Sequence, residues 1–192
     1  NLLNRPGLTE FDFANAGVGL YRIEEYDRAA QAFQSAADLN PLNRDARLNL
    51  TQTHFQAENW AEVIPAGRSL LELDPLNGIV YIYMTRAHSE MEQTEEANAV
   101  FGEYQALGYE IESIMLDGQQ GGGAMVTGVF KNSTAEPGGT VTLRFTFGGE
   151  GGREIGTIDI RVQIPAAEES VEFTGEFNAS DFVTGYRYEV VG

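Results

Sequence analysis

Two six-residue stretches, Asp38-Leu39-Asn40-Pro41-Leu42-Asn43 and Glu72-Leu73-Asp74-Pro75-Leu76-Asn77, lie 34 positions apart and carry nearly the same residues. A fixed period of this size constrains the fold more than composition does. Each period must be one supersecondary unit that buries its apolar face against its neighbours. A further step of 34 reaches Tyr109, where Ala106-Leu107-Gly108 ends a helical stretch without the proline. Three units follow, at about 10–43, 44–77 and 78–109.

Each unit reads as two amphipathic helices. Phe13, Ala16, Gly17 and Leu20 share one face at the i, i+3, i+4, i+7 spacing. A break at Ile23–Glu25 follows, and Tyr26, Ala29, Phe33 and Ala36 mark a second helix. Gly17 and Ala29 allow the two helices to approach closely. Proline then stops the second helix, because it lacks the N–H donor and clashes with the preceding turn.

This pattern resembles the tetratricopeptide repeat family. That family favours a small residue at its eighth place, an aromatic at the seventeenth and twenty-fourth, Ala at the twentieth and twenty-seventh, and Pro at the thirty-second. The first unit supplies Gly17, Tyr26, Ala29, Phe33, Ala36 and Pro41; the second has Thr51, Trp60, Val63, Gly67, Leu70 and Pro75. The third keeps Ala97 and Phe101 but has Thr85, Thr94, Tyr104 and Tyr109. The decay along the array implies that the terminal unit packs on something other than a fourth repeat, and the β half is the expected contact.

After Gly108 the period changes to two. Val141, Leu143, Phe145 and Phe147 alternate with Thr142, Arg144 and Thr146; Ile158, Ile160, Val162 and Ile164 alternate with Asp159, Arg161 and Gln163. Val171 and Phe173 flank Glu172, and Tyr186, Tyr188 and Val190 alternate with Arg187 and Glu189. This is antiparallel sheet with one buried face. Asp117–Gly123, Pro137-Gly138-Gly139 and Gly148–Gly152 are the turns and connectors. Five or six strands in about 80 residues predict a small β-sandwich. The stretch Met125–Asn132, with Ile164-Pro165 and Val171-Glu172-Phe173 later, resembles the FxLYD-type immunoglobulin-like domains of bacterial envelope proteins. Phe145-Thr146-Phe147-Gly148-Gly149 stands where that family's Leu-Tyr-Asp would be.

The tetratricopeptide resemblance implies a concave groove lined from the first helix of each unit. The matching positions are Phe11, Ala14, Asn15, Val18, Tyr21 and Arg22, then Asp45, Leu48, Asn49, Gln52, Phe55 and Gln56, then Ile79, Ile82, Tyr83, Arg86, Ser89 and Glu90. Asn15 and Asn49 occupy the place where some members hold a peptide backbone through side-chain amides. The Lys/Asn set that clamps a C-terminal carboxylate is missing. The candidate partner-binding residues are therefore Phe11, Asn15, Val18, Tyr21, Arg22, Leu48, Asn49, Gln52, Phe55, Ile82 and Arg86.

Composition narrows the function classes. The net charge is −17, with −9 in residues 1–108 and −8 in residues 109–192, and an even acidic field repels nucleic acid and favours basic partners. There is no cysteine, which removes disulfides, thiolate metal sites and thiol catalysis. His54 and His88 lie 34 apart, so a metal-bridging pair is imaginable, but that place normally packs. The doublets Glu24-Glu25, Glu95-Glu96 and Glu168-Glu169 fall at turns, whereas acid–base catalysis needs a desolvated carboxyl. No nucleophile elbow, zincin motif, phosphate loop or calcium loop is present. No metal and no cofactor are expected, and no catalytic residue is assigned.

The expected architecture is a two-domain α+β chain. It has an extended arm at 1–9, a helical repeat domain at 10–109 and an immunoglobulin-like β-sandwich at 110–192. The expected function is a non-enzymatic interaction scaffold or accessory subunit of an envelope or membrane-associated complex, binding protein partners and not nucleic acid. No stretch reaches the roughly 20 apolar residues of a membrane span. A periplasmic or other extracytoplasmic setting is preferred over the cytoplasm, and the start at Asn1 reads as a removed leader or a fragment. Two other classes remain: a ligand- or glycan-binding module attached to a separate enzyme, and a structural subunit that assembles by strand addition. A specific case of the accessory reading is an extrinsic subunit of a photosynthetic reaction-centre complex, for which no motif speaks.

Overall fold

The computed structural model describes residues 7–191. It contains six helices followed by six strands. The helices are α1 (Glu10–Arg22), α2 (Tyr26–Leu39), α3 (Arg44–Gln56), α4 (Trp60–Leu71), α5 (Gly78–Glu90) and α6 (Thr94–Leu107). Most of the expected arm, residues 1–6, lies outside the described residues. Its last residue, Thr9, caps α1: the Thr9 hydroxyl accepts from the Asp12 amide, and the Asp12 carboxylate accepts from Thr9 in return.

The helices form three hairpins whose first helices begin 34 residues apart, at Glu10, Arg44 and Gly78. Each intra-hairpin turn places a glutamate in the left-handed region, Glu24 (φ 61°), Glu58 (φ 56°) and Glu92 (φ 61°). A side chain there costs about 1 kcal/mol that glycine would not. In the first hairpin Gly17 is required by packing, since a Cβ on it would sit 2.7 Å from the Phe33 ring. The cores are largely alanine and aliphatic: Ala29, Ala30, Phe33 and Leu50 in one cluster, and Val63, Leu70, Val80, Met84 and Val100 in another.

The strands are β1 (Tyr109–Gly118), β2 (Ala124–Asn132), β3 (Thr140–Gly148), β4 (Glu154–Gln163), β5 (Ser170–Phe177) and β6 (Gly185–Val191). They make two antiparallel three-stranded sheets, ordered β1-β2-β5 and β4-β3-β6. Phe145 sits at the centre of the sandwich, within ring-packing distance of Phe147, Phe173, Tyr186 and Tyr188. Strand β1 escapes an alternation search because its register shifts between Ile111 and Ser113. A bulge there moves the inward positions from Ile111 to Ile114 and Leu116, which breaks the period of two.

The sandwich seats itself on the loops between repeats rather than over the outer face of α6. The Tyr186 and Tyr188 amides of β6 donate to the carbonyls of Leu42 and Leu73, and the Ile111 amide of β1 donates to that of Leu76. Leu76 is buried within the sandwich core. A Cβ on Gly185 would lie 2.3 Å from the Leu42 carbonyl oxygen, so the loop approaches β6 along bare backbone. Asn40 donates to the Thr184 carbonyl and hydroxyl. Asp74 is the hub of the second loop. It accepts from Arg44 Nε and Nη2 (2.8 and 2.6 Å), from Asn77 (2.7 Å) and from the Tyr188 hydroxyl (2.6 Å). Both partners of the ion pair are buried. Burial opposes the Arg44 charge most strongly, but Asp74, Tyr186 and Asp45 together outweigh it, and the guanidinium holds its proton more tightly than a free arginine. Burial pushes the Tyr186 and Tyr188 hydroxyls well above their ordinary range, and the Asp74 charge adds to the shift. The last turn of α6 also touches the sandwich, where Tyr104 donates to Glu110.

Candidate functional site

The first helices of the hairpins, α1, α3 and α5, carry the expected groove positions. Phe55 of α3 stacks on Tyr83 of α5 with ring centroids 4.1 Å apart. Burial raises the Tyr83 pKa, and the nearby Tyr21 of α1 adds to the rise.

Four large apolar side chains on these helices stay open to solvent: Phe11 (53% exposed), Val18 (37%), Ile79 (43%) and Ile82 (45%). Phe11 and Val18 are seven residues apart and Ile79 and Ile82 three apart, so each pair shares one helix face. Asn15, Arg22 and Arg86 are exposed beside them, while Asn49 and Gln52 are half-buried. Arg86 is engaged by Glu90 at 3.3 Å, and Arg22, exposed, makes no ion pair among the described residues. The other expected residues have a double role. Tyr21 packs against the core of the first two hairpins, and Leu48 and Phe55 against that of the second and third. Phe55 also meets Trp60 edge-on at 5.5 Å. These three hold the walls and present only their edges to the groove.

The two histidines take separate parts. His88 Nδ1 bonds Gln93 at 2.7 Å. His54 lines a cleft of about 320 Å³ between α2 and α4, with its Nδ1 unpartnered; burial lowers its pKa against the pull of Glu62 and Asp27. Among the described residues, no group of three or more metal-binding side chains comes together. The carboxylates whose pKa moves, Asp12, Glu103 and Asp159, all move down, held by Thr9, Arg68 and Arg144 respectively. A general acid needs the opposite shift.

Sequence reasoning missed the seam between the halves. The two proline loops carry the local signature of helix stops, and nothing local announces that Asp74 pairs with a tyrosine 114 residues away. Phe101, the consensus aromatic of the third unit, is 43% exposed rather than packed within its hairpin.

No protein-family model and no curated protein matches the chain. Among solved structures it is similar to MamA AMB-1 at 24% identity and TM-score 0.49, covering 55% of this chain and 62% of that one. It is also similar to MamA MSR-1 at 23% identity and TM-score 0.47, covering 52% and 57% respectively. A crystal structure of MamA matches at 20% and 0.47, covering 51% and 57%. The chain thus spans less than two thirds of these structures, and a likeness this loose carries no functional argument. What the fold itself defines is an array of three helical hairpins whose inter-repeat loops join a β-sandwich. No helix among the described residues is long and apolar enough to cross a membrane.

Proposed function

We propose that the chain is a non-catalytic scaffold or accessory subunit that holds a protein partner in the concave face of its hairpin array. The observation that carries this reading is the exposure of Phe11, Val18, Ile79 and Ile82 on the first helices. Apolar side chains grouped on one concave surface and rimmed by polar ones mark interaction sites. The exposed amide of Asn15 and Arg22, which makes no ion pair among the described residues, supply polar anchors for a partner backbone or carboxylate. The sandwich meets the inter-repeat loops at Leu42, Leu73 and Leu76, while Phe11, Val18, Ile79 and Ile82 stay exposed. We extend the proposal to a complex at a membrane surface or in the cell envelope, in keeping with the envelope-domain resemblance of the β half.

The test is site-specific photocrosslinking in cells, with the reactive group at Ile82 in the groove or at Gln31 on the exposed side of α2. The proposal expects one protein adduct from position 82, lost when Phe11 and Ile79 are changed to Ser, and none from position 31. Equal adducts from both positions, or none from position 82, overturn it. Fractionation of the tagged chain tests the compartment.

A further inference from the structure

The three hairpins meet one packing problem in three ways. The places compared are the eighth of each unit's first helix and the twenty-fourth, on its second helix. In the first hairpin these are Gly17 and Phe33; the ring fills the space a Cβ on Gly17 would take, and Phe33 is 1% exposed. In the second they are Thr51 and Gly67, and Met84 from α5 fills the gap, its Cγ 2.8 Å from where a Gly67 Cβ would be. In the third they are Thr85 and Phe101, and both have bulk. The Thr85 hydroxyl is buried without a hydrogen-bond partner among the described residues, and Phe101 is 43% exposed on α6.

Coverage differs in the same way. Ala46 and Leu50 of α3 pack onto α2, and Val80 and Met84 of α5 onto α4. No described helix does this for α6. Its uncovered face instead runs into a crevice of about 330 Å³ against the sandwich, lined by Phe101, Tyr104, Tyr109, Thr134 and the Lys131–Glu168 pair. A Cβ on Gly102, on the exposed side of α6, would meet nothing within 4 Å.

We propose that this face of α6 seats an amphipathic helix of a partner protein, placed as α3 is placed on α2. The surface continues the two repeat-to-repeat interfaces the chain already makes, so the occupant's chemistry can be read from them. Small and aliphatic residues face the aromatic ring, as Ala46 and Leu50 face α2. Basic residues lie on the flanks, opposite exposed Glu95, Glu96 and Glu168 in a chain of net charge −17. A second copy fits poorly. Its α1 offers Asp12, Ala16 and Gly19 at the places of Ala46, Leu50 and Thr53, and its charge repels. The surface is separate from the groove and does not depend on the groove reading.

The test uses the whole chain and a synthetic helical peptide with Ala, Leu and Thr spaced as Ala46, Leu50 and Thr53 and lysines on the remaining faces, followed by fluorescence anisotropy. The expected result is saturable binding, weakened at least tenfold by Phe101→Glu and by Gly102→Arg, and unchanged by Ile82→Glu in the groove. Both α6 changes fall on exposed positions, and an unchanged melting curve shows that the variants fold. Absent saturation, equal binding by the α6 variants, loss through Ile82→Glu instead, or dimerisation of the free chain abolished by Phe101→Glu would each overturn the proposal.

Discussion

The two proline loops are near copies in sequence and unlike in chemistry. Asn40-Pro41-Leu42-Asn43 holds the sandwich with a neutral side chain, Asn40, which donates to Thr184 and accepts from the Leu42 amide. Asp74-Pro75-Leu76-Asn77 does so with a charge, Asp74, which gathers Arg44, Asn77 and Tyr188. Both carboxamide and carboxylate are essentially fully buried. A single amide-to-acid difference thus turns a hydrogen-bonded junction into an ionic one that also ties the first inter-repeat junction to the second, since Arg44 opens α3. Repetition supplied the loop shape twice. The sandwich then used the two copies differently, with Leu42 passing along the bare backbone of Gly185 and Leu76 entering the core.

The contrast breaks most sharply at Asp74. Asp74→Ala leaves the buried Arg44 guanidinium with only the exposed Asp45 carboxylate, 3.0 Å from Nη1, and a loss of about 3 kcal/mol in denaturant unfolding is expected. Asn40→Ala, which strands neutral groups only, should cost about 1–3 kcal/mol in the same measurement. High pH sharpens the comparison. An acid whose pKa rises on folding lends stability below its unfolded pKa, about 10 for tyrosine, and loses it as pH climbs toward the folded value. Tyr186 and Tyr188 both rise, chiefly through burial. Stability should therefore fall above about pH 10, by about 1.4 kcal/mol per pH unit for each tyrosine. Tyr188→Phe should flatten that slope. The effects shrink away from the seam. Glu58→Gly relieves a left-handed backbone and should stabilise by about 0.5 kcal/mol, the strain relief being partly offset by the freer unfolded chain. Ile79→Ser and Ile82→Ser, on the exposed groove face, should leave stability within about 0.5 kcal/mol of the parent while abolishing partner capture.

The helical half was legible because its signals are local. The 34-residue period, the small residue at Gly17 and the prolines each act within one or two turns of chain. Most strands were legible for the same reason, through alternation at Val141–Phe147 and Ile158–Ile164. β1 was not, because the bulge after Ile111 destroys the pattern that would reveal it. The groove was legible as a set of positions, but the share each side chain gives to solvent was not. Phe55 and Tyr83 stack on each other, and Phe11 stays exposed, through packing between hairpins that no single unit encodes. The seam was the least legible, since the partners of Asp74 come from 30 and 114 residues away.

The central claim is that the seam makes the array and the sandwich one cooperative unit and leaves the concave face as the free surface. Trp60, the only tryptophan, reports on the array, and the Tyr186 and Tyr188 amides report on the seam from the sandwich side. Unfolding should be followed in denaturant by Trp60 fluorescence together with hydrogen exchange at those two amides. One transition, with the same midpoint and free energy for all three probes, is the predicted result. Sandwich amides that stay protected after the Trp60 signal has unfolded would contradict it.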